Sequence, residues 1–148
     1  MAQNTFDVAV TVKDLPTAIE HYKKIFGVEP AKVKPDYAKF ELADPPAIIS
    51  LNLGGEPGTV SHLGIRYPST GDVASEMVRV KHEEVELLEQ KGTTCCYAKA
   101  DKFWVRDADG MPWEMYTLLE DAEAETAADR TLRLFLEQDA AGPSGTCS

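Results

Sequence analysis

Two cysteines on adjacent residues, Cys95 and Cys96, stand in the run Gly92-Thr93-Thr94-Cys95-Cys96-Tyr97. Neighbouring thiols can both bond one soft centre, and sulfur ligands select ions such as Cd(II), Zn(II) or Cu(I). Trivalent arsenic and antimony share that preference for sulfur. Successive side chains of a regular strand point to opposite faces, so one shared ligand requires a turn or a loosened strand end. Gly92 and the two threonines suit that. Without a ligand the same two residues read as small buried hydrophobes.

Three further ligating side chains sit at related places. Residues 5–12 alternate, with Phe6, Val8, Val10 and Val12 on one face and Asp7, Ala9 and Thr11 on the other. Residues 60–67 set His62, Gly64 and Arg66 against Leu63, Ile65 and Tyr67, and residues 113–119 set Glu114 and Tyr116 against Trp113 and Met115. Such alternation is the mark of a half-buried strand. The large apolar faces must pack on helices, which leaves Asp7, His62 and Glu114 on faces turned away from them. Taken singly, His62 reads as a hydrogen-bonded structural histidine, Glu114 as an exposed carboxylate and Asp7 as a cap or a lysine partner. At equivalent places of a repeat they read together as a metal site. His21 and His82 fall on helices and are expected to face solvent.

The elements that would position these groups form a repeat. After the first strand, Asp14 caps a helix in which Leu15, Ile19, Tyr22, Ile25 and Phe26 recur at helical spacing until Gly27 ends it. Pro30 and Pro35 mark a loop, and residues 37–42 and 47–53 read as strands around the turn Asp44-Pro45-Pro46. Gly54-Gly55-Glu56-Pro57-Gly58 looks like a linker, after which the pattern restarts. The strand at 60–67 leads to a helix opened by Asp72 and carrying Val73, Met77 and Val80. Its periodicity fails near Glu83 and Glu84. Residues 85–88 then read as a short edge strand, with further strands at 96–98, 103–106 and 113–119. The last two flank the tight turn Asp107-Ala108-Asp109-Gly110. The order β, α, β, β occurs twice.

Composition narrows the partners. The chain has 148 residues, a net charge of -10 and three cysteines. No basic and apolar leader follows Met1, and no apolar run approaches the roughly 20 residues of a membrane helix. An odd number of cysteines without an export signal suits reduced thiols in the cytoplasm. The acidic balance disfavours nucleic acid and anionic membranes. Small molecules, metals or a second copy of the chain remain. Residues 122–148 form an acidic tail, expected to hold a short helix around Leu132, Phe135 and Leu136 before a disordered end carrying Cys147.

The stretch Asp107-Ala108-Asp109-Gly110-Met111-Pro112-Trp113-Glu114-Met115-Tyr116 resembles the closing turn and strand of the vicinal oxygen chelate (glyoxalase-like) superfamily. Within it, Gly92-Thr93-Thr94-Cys95-Cys96-Tyr97, Asp101-Lys102-Phe103-Trp104-Val105, Phe26-Gly27-Val28-Glu29-Pro30 and Tyr37-Ala38-Lys39-Phe40 resemble the carbon-arsenic lyases and their cadmium-induced relatives. The resemblance implies an α+β fold of two paired βαβββ modules, about 5–53 and 59–119 of a domain at 1–121, around a metal-binding cleft. It implies an Fe(II)-dependent dioxygenase that splits the carbon–arsenic bond of trivalent organoarsenicals, methylarsenite or aromatic, and releases arsenite. Cys95 and Cys96 would hold the arsenic, and His62, Glu114 and Asp7 the iron, with Tyr97, Lys102, Trp104 and Tyr116 around the pocket. Two departures stand out: Asp7 replaces the glutamine, and Glu84 the glycine, that the resemblance leads one to expect. Two carboxylates and one histidine favour harder ions such as Fe(II) or Mn(II).

Two other functions fit the same residues. One is a soft-metal binding protein of the cadmium-induced type, using the cysteines without oxidation. The other is a different metal enzyme on this fold, a glutathione-type transferase or an extradiol dioxygenase, neither of which needs adjacent cysteines. A monomer or a homodimer satisfies all three.

Overall fold

Residues 3–95 and 98–121 are described in the computed structural model, the side chains of 93–99 and 120–121 excepted. Cys96, Tyr97 and the tail at 122–148, with the helix expected there and Cys147, lie outside the described residues. The described elements are β1 (Thr5–Thr11), α1 (Leu15–Phe26), β2 (Lys32–Lys34), β3 (Tyr37–Ala43), β4 (Pro46–Asn52), β5 (Val60–Arg66), α2 (Thr70–His82), β6 (Leu87–Cys95), β7 (Ala98–Arg106) and β8 (Pro112–Asp121). This is βαβββ twice, an α+β architecture.

Eight strands form one sheet in the order β2-β3-β4-β1-β5-β8-β7-β6. Each module pairs its first and last strands in parallel, β1 with β4 and β5 with β8. The modules join through β1 and β5, which run antiparallel. Thus the two module-opening strands lie side by side at the centre of the sheet.

Both helices cover the same face of the sheet. Leu15 of α1 is buried with Ala38, Phe40 and Leu51, and Val10, Val12, Ile19, Tyr22 and Phe26 pack against them. In the second module Val73 and Val80 of α2 are buried with Tyr67, Phe103 and Val105, backed by Ile65, Trp113 and Met115. Burying an aromatic or aliphatic side chain of this size contributes about 1.5–3 kcal/mol. The expected apolar stripe of α1 is narrower than its spacing predicts, since Ile25 is 57% exposed. Phe6 is likewise 45% exposed and meets only the edge of Trp113, at 6.4 Å.

The helix starts follow their caps. Asp14 accepts from the Thr17 amide, and Gly27 closes α1 in the left-handed region at φ 69°. Ser69, not Asp72, caps α2: its hydroxyl accepts from the Asp72 amide at 3.2 Å and donates to the Asp72 carboxylate at 2.8 Å. Asp107 folds the turn before β8 by accepting from the amides of Asp109 and Met111.

Two strands differ from expectation. The Lys-Val-Lys strand β2 stands where proline spacing suggested only a loop; three residues are too few to show alternation. Leu87–Cys95 is a single edge strand where the sequence suggests a short one at 85–88; of the strand expected at 96–98, Cys96 and Tyr97 lie outside the described residues and Ala98 opens β7. The pairing of β6 slips between Gln90 and Thr93, where Gly92 adopts φ 58°. A glycine bulge keeps the strand continuous through a break in register that looks like a turn in sequence.

Glu84, after α2, is the sole non-glycine at positive φ among the described residues, at 62°. An L-residue there carries about 1–2 kcal/mol of steric penalty. Glu84→Gly should therefore stabilise the protein by about 0.5–1 kcal/mol net of the freer unfolded chain. A raised urea midpoint at unchanged slope checks this.

Candidate metal centre

The sheet face opposite the helices carries the chemistry. Register aligns Asp7 with Gly64 and Gly64 with Glu114, so three strands present one row: carboxylate, glycine, carboxylate. His62 lies two residues along β5 from Gly64, opposite Ala9. Asp7 and His62 are 0% and Glu114 1% exposed, so this far face is enclosed at its centre. A buried charge needs a counter-charge or hydrogen bonds to persist; Glu114 has an ammonium beside it, and Asp7 a phenol hydroxyl. Lys102 Nζ donates to Glu114 Oε2 at 2.8 Å, and the Tyr116 hydroxyl donates to Asp7 Oδ2 at 2.6 Å.

Tyr116 belongs to β8 and Asp7 to β1, with β5 between them. Gly64 is required by the close approach of β5 to β8 beside Glu114. A Cβ at Gly64 would lie 2.6 Å from the Glu114 carbonyl oxygen.

His62 Nε2 lies 3.9 Å from Glu114 Oε1 and has no hydrogen-bond partner, while Nδ1 lies 3.4 Å from the Ser61 hydroxyl. Burial drives the imidazole pKa down to about 4, with Glu114 opposing and Lys102 adding to the shift. At neutral pH the ring is therefore uncharged, and its contact with Glu114 is not an ion pair. A neutral imidazole with one orphaned nitrogen aimed near a carboxylate fits a divalent cation. The donor set of one nitrogen and carboxylate oxygens suits Fe(II) or Mn(II) better than a soft ion. His62 and Glu114 stand together, whereas Asp7 shares their row but is held by Tyr116. Among the described residues no three His, Cys, Asp or Glu side chains converge closely enough to hold a metal as they stand.

The same titration makes the metal-free protein acid-sensitive. An unfolded histidine takes up a proton near pH 6.5 and the folded one only near 4. Between those values the unfolded state binds more protons, so stability falls as the pH drops through that window. The expected loss from His62 is about 3 kcal/mol at about 1.4 kcal/mol per unit. Urea unfolding of the metal-free protein at pH 7 and pH 4.5, with His62→Gln as control, measures it.

The pocket residues expected from sequence divide. Trp104 is fully buried and packs edge-on against His62 at 5.1 Å between ring centroids. Tyr116 is buried as the Asp7 partner. Lys102, expected around the pocket, is 3% exposed, paired with Glu114 and 5.9 Å from the Trp104 ring. His21 and His82 are exposed, as expected. Tyr97 and Cys96 lie outside the described residues. Cys95 ends β6 opposite Ala98, six residues along β7 from Trp104. At about 3.3 Å per residue that is up to about 20 Å, so the backbone does not set Cys95 beside His62 and Glu114.

Sequence reading placed Thr11 on the far face but missed the rest of its neutral half. Ser50, Asn52, Tyr37 and Thr11 are all buried there, with Ser50 and Tyr37 hydroxyls 3.4 Å apart. In β4 their signal was the alternate polar pair Ser50 and Asn52, masked by the apolar start of the run, Ala47-Ile48-Ile49.

Two antiparallel-joined βαβββ modules with a buried histidine and carboxylates on the helix-free face define the class. Residues 6–115 match the Glyoxalase/Bleomycin resistance protein/Dioxygenase superfamily, and the chain belongs to it, as an enzyme of that superfamily. It is 43% identical over 117 residues to the cadmium-induced protein CadI of Mycobacterium tuberculosis (strain ATCC 25618 / H37Rv), covering 78% of this chain and 77% of that one. It is 40% identical over 124 residues to the trivalent organoarsenical cleaving enzyme of Thermomonospora curvata, covering 82% of each. In fold it is similar to homoprotocatechuate 2,3-dioxygenase from Arthrobacter globiformis, with a TM-score of 0.59 at 18% identity over 83% of this chain and 38% of that one.

Proposed function

We propose that this chain, as one vicinal oxygen chelate domain over 1–121, cleaves the carbon–arsenic bond of trivalent organoarsenicals such as methylarsenite and releases arsenite. The observation that carries the reading is the buried His62–Glu114 pair with its orphaned imidazole nitrogen, in a chain that also bears Cys95-Cys96. His62, Glu114 and Asp7 would hold Fe(II), which supplies the one-electron chemistry that activates dioxygen. Lys102 holds Glu114 in place and offsets one of the two carboxylate charges. Tyr116 orients Asp7, and Trp104 walls the imidazole and keeps water out.

Cys95 and Cys96 bind the arsenic as a dithiolate, which requires both thiols ionised. Tethering turns an encounter of substrate and centre into an intramolecular one. Given the strand register, the reaction needs the thiolate-bound arsenic brought over the far face. The protein acts in the cytoplasm as a monomer or homodimer; no helix among the described residues is long and apolar enough to cross a membrane.

A second reading is supported by the CadI relatives: the cysteines sequester Cd(II) or arsenite and no oxidation follows. Oxygen uptake separates the two. Anaerobic Fe(II)-loaded protein given methylarsenite and then oxygen should consume about one dioxygen per methylarsenite. Tight Cd(II) binding with no oxygen uptake would support sequestration instead.

A further inference from the structure

The helix side of the sheet is covered unevenly. Helix α1 lies over β3 and β4, and α2 over β7 and β8. In the sheet order these pairs flank β1 and β5, which are left between the two helices. Two cross-strand rows of apolar side chains line this seam: Phe6, Ile65 and Met115 form one, and Val8, Leu63 and Trp113 the other. Phe6 is 45% exposed and the other five are half-buried. On the opposite face of the same three strands Asp7, His62 and Glu114 are at most 1% exposed. At the centre of the sheet the polar face is the closed one and the apolar face the open one. Scattered exposed apolar residues are ordinary, whereas contiguous ones mark a surface that something covers.

The seam has the width of one helix. From midway between β3 and β4 to midway between β8 and β7 is four strand spacings, about 19 Å. Packed helices lie about 8–10 Å apart. One further helix laid between α1 and α2 would touch both and cover the two rows. A narrow channel of this kind suits a single helix better than the broad face of a second copy.

The chain carries such a helix in its sequence. Thr126-Ala127-Ala128-Asp129 has the pattern of a capping box. Ala128, Leu132, Phe135 and Leu136 then recur at helical spacing, with Arg130, Arg133 and Glu137 on the opposite side. A helix of about 12 residues is marginal in water by itself, so its stability must come from a surface it meets. The reach is sufficient. Strand β8 runs antiparallel to β1 and ends at Asp121, six residues past Met115, so the chain leaves the sheet beyond the Phe6 row. Returning to that row takes about 20 Å along the strand direction. The ten residues between Asp121 and Leu132 can extend over about 33 Å.

We propose that residues 127–138 form a third helix that docks within its own chain in the seam between α1 and α2, setting Leu132, Phe135 and Leu136 on Phe6, Ile65 and Met115. The docked helix backs the three strands that present Asp7, His62 and Glu114. Its role is independent of which reaction the far face performs.

Hydrogen exchange of the full chain, read by mass spectrometry, tests the docking. Amides of residues 128–137 should exchange at least about 100-fold more slowly than in the same segment as a free peptide, equally in dilute and concentrated protein. Phe6→Glu, at a side chain already 45% exposed, should abolish that protection and leave the exchange of β3 and β7 unchanged. Should Phe6→Glu disturb β3 or β7, the complementary variant Leu132→Glu/Phe135→Glu decides. It should gain a binding site for anilinonaphthalene sulfonate, a dye that reports exposed apolar surface, and absence of that gain overturns the docking. Free exchange of 128–137 in wild type overturns it, as does protection that survives Phe6→Glu in a folded chain. Protection lost on dilution gives the seam to a second copy and overturns it too.

Discussion

Replacing Cys95 or Cys96 by serine is expected to abolish arsenite release from methylarsenite, with a loss of at least about 100-fold in kcat/KM. The size follows from what two sulfurs do that one cannot. A single thiolate leaves the arsenic free to swivel and dissociate, so the carbon–arsenic bond no longer dwells near the centre. Serine keeps the volume of each side chain and offers a hard oxygen that trivalent arsenic binds poorly. Both substitutions leave His62, Glu114 and Asp7 in the sequence, so Fe(II) content should stay at the wild-type level. Arsenic speciation and metal analysis on the same preparations check both halves. Equal loss of arsenite release and of iron would mean that the cysteines serve the metal.

Glu114→Ala should be the most damaging single substitution for the fold. It strands the Lys102 ammonium, 3% exposed and now without the carboxylate at 2.8 Å. Removing one partner of a buried pair typically costs 3–5 kcal/mol because the other charge stays uncompensated. It also deletes the oxygen beside His62 Nε2, so metal binding should fall with stability. The double variant Glu114→Ala/Lys102→Met separates the effects. It should recover most of the lost stability while metal binding stays absent. A double variant as unstable as the single one would show that cavity formation, not the stranded charge, dominates.

Much of this centre was legible before any coordinates. Clean alternation in 5–12 and 60–67 put Asp7 and His62 on faces opposite the apolar residues, and the sheet places both faces away from the helices. The two-module order was readable because each helix is announced by a cap and each strand by period-two patterning. Partners across the sheet were not readable. Nothing local in Ala100-Asp101-Lys102-Phe103 distinguishes a solvated lysine from one buried against Glu114; only the register of β7 on β8 does so. The Tyr116–Asp7 bond joins residues 109 apart across the strand between them, a fact of three strands together. Strand β6 misled for the opposite reason: Gly92 imitates a turn, and the bulge that absorbs it is visible only against its neighbour.

The electrostatic plan of the far face is likewise a property of pairing. An ionic centre, a neutral polar band of Ser50, Asn52 and Tyr37, and a cationic edge follow one another across strands distant in sequence. Each stretch alone looks like ordinary strand chemistry.

The most direct test of the account is arsenic speciation over time. Protein reconstituted anaerobically with Fe(II) receives methylarsenite, then oxygen, with samples lacking either iron or oxygen run beside it. Inorganic arsenite accumulating only when both are present is the predicted result. Methylarsenite recovered intact and bound stoichiometrically to the protein, with iron and oxygen both supplied, would contradict it and leave the cysteines as a sequestering site.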